Sequence, residues 1–238
     1  MLDNRLTVCA ELVSGNGVVC DVGTDHAYLA AELIISGKCS KVIASDINEG
    51  PLESARKTVE KYGIADKVEL ILSDGLDNVP LEGVSDIVIA GMGGETIADI
   101  LENPAIDTDS DIRLILQPMS KPEILRKKLY EYQFEIVTER AVEDGDKMYV
   151  VMVAKPSNEW QQLTETEALF GFFDDTDETA VKYRKREAER LAKISENLKN
   201  AGKNAESEHY AVLSYRMENG TDKVRIQDVY NYLDSVYP

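Results

Sequence analysis

The sequence predicts an α/β fold: a mostly parallel seven-stranded sheet covered by helices and ending in an antiparallel hairpin, followed by a helical tail. Three observations carry this. From Val18 to Pro156 short apolar runs alternate with helix-periodic segments, the pattern of a parallel sheet buried on both faces. The last two of these runs are joined only by Glu143-Asp144-Gly145-Asp146, too short for a crossover helix, so they must pair antiparallel. Beyond Pro156 the apolar spacing becomes three-four throughout.

Strands are expected at Val18–Val22, Val42–Asp46, Val68–Ser73, Asp86–Ala90, Leu114–Gln117, Phe134–Thr138 and Met148–Ala154. Between the second and third, Leu52, Ala55, Val59 and Tyr62 fall on one helical face and Gly63 supplies a stop. After the fourth strand a helix carries Ile97, Ile100 and Leu101. The helix after the fifth opens with Ser120-Lys121-Pro122-Glu123, a capping-box spacing with proline in the first turn.

In the tail, Thr164-Glu165-Thr166-Glu167 predicts a second cap, and a long helix runs from about Asp177 to Gly202 with Leu191, Ile194, Leu198 and Ala201 as its stripe. His209 to Met217 reads as helix, Asn219-Gly220 as a break, and Ile226, Val229, Leu233 and Val236 as a second stripe able to pack on the first. The expected division is therefore residues 1–157 and 158–238, the latter a helical hairpin or short coiled coil.

Composition limits function. The chain has 238 residues, enough for one full domain with an appendage. Its 26 basic and 44 acidic side chains leave a net charge of −18, so any nucleic-acid site must be a local basic patch on a repelling surface. Two groups qualify: Lys182, Arg184, Lys185, Arg186, Arg190 and Lys193, and then Lys121, Arg126, Lys127 and Lys128. No apolar stretch approaches the ~18 residues that span a bilayer, and the N-terminus lacks the layout of a secretion signal. Cys9, Cys20 and Cys39 lack metal or disulfide spacing, which suits buried thiols in a reducing cytoplasm. With only His26 and His209 as histidines, a metal cluster is not expected.

Asp21-Val22-Gly23-Thr24-Asp25-His26-Ala27-Tyr28 follows the first strand, and Asp46 closes the second. Strand, glycine turn, helix, strand, acid is the order in which a mononucleotide-binding βαβ half presents a ribose site. The turn has one glycine rather than G-x-G-x-x-G, and its acids would repel a pyrophosphate. A cationic, phosphate-free nucleoside such as S-adenosylmethionine fits better. Asp46 would accept the ribose hydroxyls, Asp74 with Gly75 would meet the adenine, and Asp21 and Asp25 would face the amino and sulfonium end. His26 lies close to the cofactor, and Tyr28 beside it could stack on a base. After the fourth strand, the glycines of Gly91-Met92-Gly93-Gly94 would let backbone approach a flat substrate.

The runs D-V-G-T-D-H-A-Y-L, Asp21 to Leu29, I-A-G-M-G-G, Ile89 to Gly94, and L-I-L-Q-P, Leu114 to Pro118, resemble those of the bacterial tRNA (adenine-22-N1)-methyltransferases. The likeness covers the whole layout, with the motifs confined to the first two thirds of the chain. It implies a class I, Rossmann-like methyltransferase domain with a coiled-coil-like tail that binds tRNA, and transfer of a methyl group from S-adenosylmethionine to N1 of an adenine, at position 22. It further implies that Asp21, Gly23, Asp25, Asp46, Asp74 and Gly75 hold the cofactor, while Tyr28 and Gly91 to Gly94 line the target-base pocket. Where the family continues Q-P-N, this chain has Met119, so an asparagine contact is replaced. The acidic surface keeps two alternatives open, a methyltransferase for a small molecule or protein and a non-catalytic cofactor-binding regulator.

Overall fold

A computed structural model of the chain describes residues 2–15, 17–106, 111–159, 162–174, 176–219, 229 and 231–232. Two compact units divide between Phe173 and Asp174. The first opens with α1 (Asn4–Leu12), which sequence periodicity did not indicate, and continues β1 (Val18–Val22), α2 (Tyr28–Ile35), β2 (Lys41–Asp46), α3 (Glu49–Lys61) and β3 (Val68–Leu72). There follow β4 (Val84–Gly93), α4 (Gly94–Leu101), β5 (Arg113–Ser120), α5 (Pro122–Glu131), β6 (Phe134–Asp144), β7 (Lys147–Pro156) and α6 (Glu165–Phe170).

The seven strands lie in the order β3-β2-β1-β4-β5-β7-β6. The first five in this row are parallel, and β7 runs antiparallel to both β5 and β6. All seven expected strands are present, with β4, β5, β6 and β7 longer than expected. The chain order reverses between β1 and β4, which makes their carboxyl ends the crevice where ligands of such sheets bind. The centre of the sheet is apolar: Ile87, Val88, Ile89, Leu114, Ile115 and Leu116 are wholly buried, each worth roughly 1.5–3 kcal/mol of transfer free energy.

Three local expectations need correcting. Tyr62 caps α3 rather than packing under it and is half exposed, because Gly63 with its positive φ already turns the chain there. Ser120 does not cap α5: it still pairs with Gly93 in the sheet, so the cap position falls to Lys121, which makes no side-chain cap bond. The first unit also continues past the expected 157/158 boundary. Arg126 and Glu139 form an ion pair with neither side chain exposed. Arg126 Nη1 donates to the Ala168 carbonyl (2.6 Å), and the Phe172 amide donates to Glu139 Oε2 (2.9 Å). Breaking such a pair strands a buried charge, so it holds α6 and its Thr164–Glu167 capping box to the sheet.

The second unit is a helical hairpin of α7 (Glu178–Asn200, capped by Asp177) and α8 (Asn204–Asn219). Serines let the two backbones approach. Ser195 Oγ donates to Ser207 O (2.8 Å), Ser207 Oγ to Ser195 O (2.6 Å), and Ser214 Oγ to Ala188 O (2.8 Å). Leu191 is buried, Ile194 and Leu198 are half-buried, and Ala201 is exposed, so the expected stripe holds for three of its four members. The partner of α7 is α8. The second stripe, apart from Val229, and the Gly220 break lie outside the described residues. Among the described residues no helix is long and apolar enough to cross a membrane.

Candidate active site

Each strand end of the reversal point contributes a turn. After β1, Gly23 adopts φ 75° and the amides of Gly23 and Thr24 both donate to Ser45 O (2.8 and 2.9 Å), fastening this turn to β2. A Cβ on Gly23 would stand 2.2 Å from Cε of Met92, the mobile tip of a side chain that can swing away, so it is the positive φ that calls for glycine here. Asp25 and Ala27 also sit at positive φ (51° and 55°), a conformation non-glycine residues seldom adopt outside tight functional turns.

The carboxylates around this turn differ sharply. Asp21 is buried, accepts from Thr24 Oγ1 (2.7 Å), and has its pKa pushed up to about 6 by burial; the Thr24 bond works against that shift and the Asp46 charge adds to it. Asp46 is only half-buried and accepts from the Asn48 amide (3.0 Å) and, more weakly, from the Asp25 amide (3.4 Å). Asp74 is exposed after β3, and Gly75 beside it takes φ 51° with Ile100 against its α-carbon.

A cavity of about 570 Å³ opens at these strand ends, within the roughly 300–1,000 Å³ of small-molecule sites. Of the residues singled out from sequence, it brings together Gly23, Asp46, Asp74, Gly75 and Met92. Sequence reasoning missed a wall supplied by α4 and the chain just after it, where Thr96, Asp99, Ile100 and Glu102 face the space. The signal was available: Thr96, Asp99 and Asn103 recur at helical spacing on the face opposite the buried Ile97, Ala98 and Leu101. With Asp46, Asp74, Asp77, Asp99 and Glu102 around it, the cavity favours a ligand carrying positive charge.

The other expected residues are not on that wall. Asp21 lies beneath the turn. Asp25 and His26 are exposed, with His26 Nε2 3.6 Å from the Asp25 carboxylate, and the His26 ring stacks on Tyr28 at 5.3 Å between centroids. Tyr28 is 48% exposed, an aromatic face open to a flat partner. Gly91 is the extra residue of a β-bulge: Ala90 pairs with Gln117 and Met92 with Pro118, leaving Gly91 unpaired at φ 81°. Its amide donates to Gln117 Oε1 (3.1 Å). Gly93 caps α4 in extended conformation. Gly94 is buried, and a Cβ there would meet Lys121 O at 2.4 Å. It therefore serves close packing of α4 on the β5–α5 turn, not an open pocket wall as expected.

The basic groups also separate. Arg126 is spent inside the fold, while Lys121, paired with Glu95, and Lys128, paired with Glu131, stay at the surface with the exposed Lys127, so the expected Lys121–Lys128 group loses one of its four cations. In α7, Lys182, Arg186 and Lys193 follow one helical face with Lys185 beside them, all exposed, whereas Arg184 is half-buried and Arg190 Nε donates to Glu187. Among the described residues no group of three His, Cys, Asp or Glu could hold a metal.

Residues 19–219 match the family model described as TrmK, tRNA (adenine(22)-N(1))-methyltransferase. A curated tRNA (adenine(22)-N(1))-methyltransferase of Bacillus subtilis is 37% identical over 154 residues, which is 65% of this chain and 65% of that protein, just under two thirds of its length. The crystal structure of B. subtilis TrmK superposes with a TM-score of 0.79 at 29% identity, covering 92% of this chain and 99% of that one. TrmK of M. capricolum in complex with S-adenosylhomocysteine superposes with a TM-score of 0.77 at 29% identity, covering 94% and 100%.

Proposed function

The chain belongs to the tRNA (adenine(22)-N(1))-methyltransferase family, and from that premise we propose how its own residues transfer a methyl group from S-adenosylmethionine to N1 of adenine 22 in tRNA. The observation that carries the assignment is the acid-walled cavity at the β1/β4 reversal, with Asp46 and Asp74 at successive strand ends. Its residues fit the cofactor. The carboxylate of Asp46 can take further donors beyond its two backbone partners, as two ribose hydroxyls require, and among the described residues the wall carries no cation to repel a sulfonium. Asp74 and Gly75 border the space for the adenine edge, and Gly23 keeps the turn at the mouth of the cavity free of a side chain.

When bound, S-adenosylmethionine supplies a methyl group on a positively charged sulfur, ready for in-line displacement. N1 of adenine has a free lone pair at neutral pH, so no general base is needed, and the protein's work is to unstack the base, align N1 and exclude water. Tyr28, open to solvent and braced by His26, offers a stacking face for the extruded adenine. In this reading backbone carbonyls of Gly91 to Gly93 accept the N6 hydrogens, which the unpaired Gly91 at the end of β4 supports. The acids around the cavity favour binding of the cationic donor, while the acceleration comes from aligning N1 with the methyl group. Phosphate contact falls to the exposed Lys182, Lys185, Arg186 and Lys193 face of α7.

Unmodified tRNA incubated with the protein and S-adenosylmethionine, then digested and analysed by mass spectrometry, tests this. Expected is N1-methyladenosine confined to position 22. Methyl on another acceptor, or cofactor binding with no transfer, would contradict it.

A further inference from the structure

We propose that Arg5 is a positioning residue for methyl transfer, setting the Gly91 bulge through the side chain of Gln117, a role that rests on the bulge facing the acceptor base. Helix α1 begins with Asp3 as its cap, Asp3 Oδ1 accepting from the Leu6 amide (2.9 Å). That start brings Arg5 to the carboxyl ends of β4 and β5, on the acceptor side of the reversal point. Arg5 Nη1 donates to Gln117 Oε1 (2.9 Å) and to Met119 Sδ (2.9 Å). Its Nη2 donates to Asp3, Nε lies 3.6 Å from Asp144 Oδ2, and the guanidinium stands over the Tyr149 ring at 5.2 Å.

Gln117 is wholly buried and locked at both ends of its amide. Oε1 accepts from Arg5 and from the Gly91 amide, and Nε2 donates to Pro118 O (2.9 Å). The second donor on Oε1 matters, because a bulge leaves its extra amide without a ladder partner and Gln117 is what satisfies it. Arg5 fixes which way the Gln117 amide faces: with a cation against Oε1, the flipped rotamer would set an NH₂ against the guanidinium. The Gly91 peptide is held in turn, and with it the carbonyls of the bulge and the side chain of Met92 against Gly23.

Two features separate this from an ordinary structural arginine. Nε of Arg5 is buried yet makes no hydrogen bond, so the guanidinium is held for where its Nη1 points rather than for full satisfaction. Its carboxylate partners, Asp3 and Asp144, also outnumber it, leaving the cluster net negative. The cation can therefore stand at the acceptor side without opposing the positive charge that the methylated base acquires.

Single-turnover methylation at saturating tRNA and cofactor, alongside calorimetry with S-adenosylhomocysteine and thermal melting, tests the proposal. Arg5→Gln is expected to slow transfer by about 100-fold, the scale of a misplaced reacting group, with S-adenosylhomocysteine affinity and the KM for tRNA within about twofold of wild type. Arg5→Lys, which restores one donor to Gln117 and reads the same step should the glutamine variant not stay folded, is expected to recover roughly tenfold of that loss. In a Gln117→Met background the Arg5→Gln change should cost less than about twofold more, since the link it acts through is already gone. A wild-type transfer rate in Arg5→Gln, a loss that tracks cofactor affinity, or an undiminished loss in the Gln117→Met background would overturn the role of Arg5. Absence of N1-methyladenosine with wild-type protein would instead overturn the functional assignment beneath it.

Discussion

The two ends of the sheet treat their carboxylates in opposite ways. At the amino end Asp86 is wholly buried and saturated: it accepts from the Ser14 amide (3.1 Å), the Ser14 hydroxyl, Ser85 Oγ (2.8 Å) and Arg113 Nη1 (3.2 Å). At the carboxyl end Asp46 has two backbone donors, and among the described residues no hydrogen bond reaches the carboxylates of Asp74 or Asp99. Both ends are rich in acid. The difference teaches where protein ends and ligand begins, because a carboxylate with all its lone pairs engaged stabilises the fold, whereas one left open beside a cavity is available to hydroxyls and cations from outside.

The strongest challenge to that contrast is Asp86→Ala. It takes one acceptor from Arg113 and from two serines and leaves the guanidinium without its buried counter-charge, and the expected loss is about 4 kcal/mol of stability by denaturant melt, with unchanged S-adenosylhomocysteine affinity in the folded fraction. Loss of ligand binding without loss of stability would erase the distinction between the ends. Asp46→Ala should behave in the opposite sense. Calorimetry is expected to give about 100-fold weaker S-adenosylhomocysteine binding, the scale of two charge-assisted hydrogen bonds, while stability stays within about 0.5 kcal/mol.

Asp21 stands between the two types, buried like Asp86 but close to the cavity turn. Its folded pKa of about 6 lies above the ordinary 3.8 because burial opposes ionisation. The folded chain therefore binds the extra proton between those values, and stability falls as pH rises from about 4 to about 6. Asp21→Asn removes that slope. Melts across pH should show the variant gaining on wild type through this window by about 2 kcal/mol, and parallel curves would mean the carboxylate is solvated.

Cations divide in the same manner, and here the expected effect is smallest. Arg126 is enclosed with Glu139, whereas Lys185 and Lys193 are exposed on α7. Reversing both lysines to glutamate should weaken tRNA binding roughly tenfold at low salt and flatten its salt dependence, with cofactor affinity untouched. An unchanged salt slope would make that face an ordinary solvated surface.

Much of this was legible before any coordinates. Strand positions followed from apolar runs bounded by acids, and the short Glu143–Asp146 link alone required the antiparallel pairing of β6 with β7. Asp46, Asp74 and Gly75 were accessible as residues lining the cavity because strand ends face the crevice whatever the side chains do. What escaped depended on side-chain direction. Helix α1 has nine residues and a weak stripe, although Asp3 as cap with Leu6, Cys9 and Val13 at three-four spacing could have marked it. Arg126 was read as surface because it sits among lysines, yet it precedes Leu129 by three residues and so shares that buried face. Gly94 was grouped with Gly91 by composition, whereas only the contact with the Lys121 carbonyl separates a packing glycine from a bulge glycine.

A crystal structure of the protein with S-adenosylhomocysteine tests the contrast most directly. The account predicts the ribose hydroxyls on the Asp46 carboxylate, the adenine beside Asp74 and Gly75, and Asp86 still closed by Ser14, Ser85 and Arg113. A nucleoside bound away from Asp46, or one that leaves the Asp46 carboxylate to solvent, would contradict it.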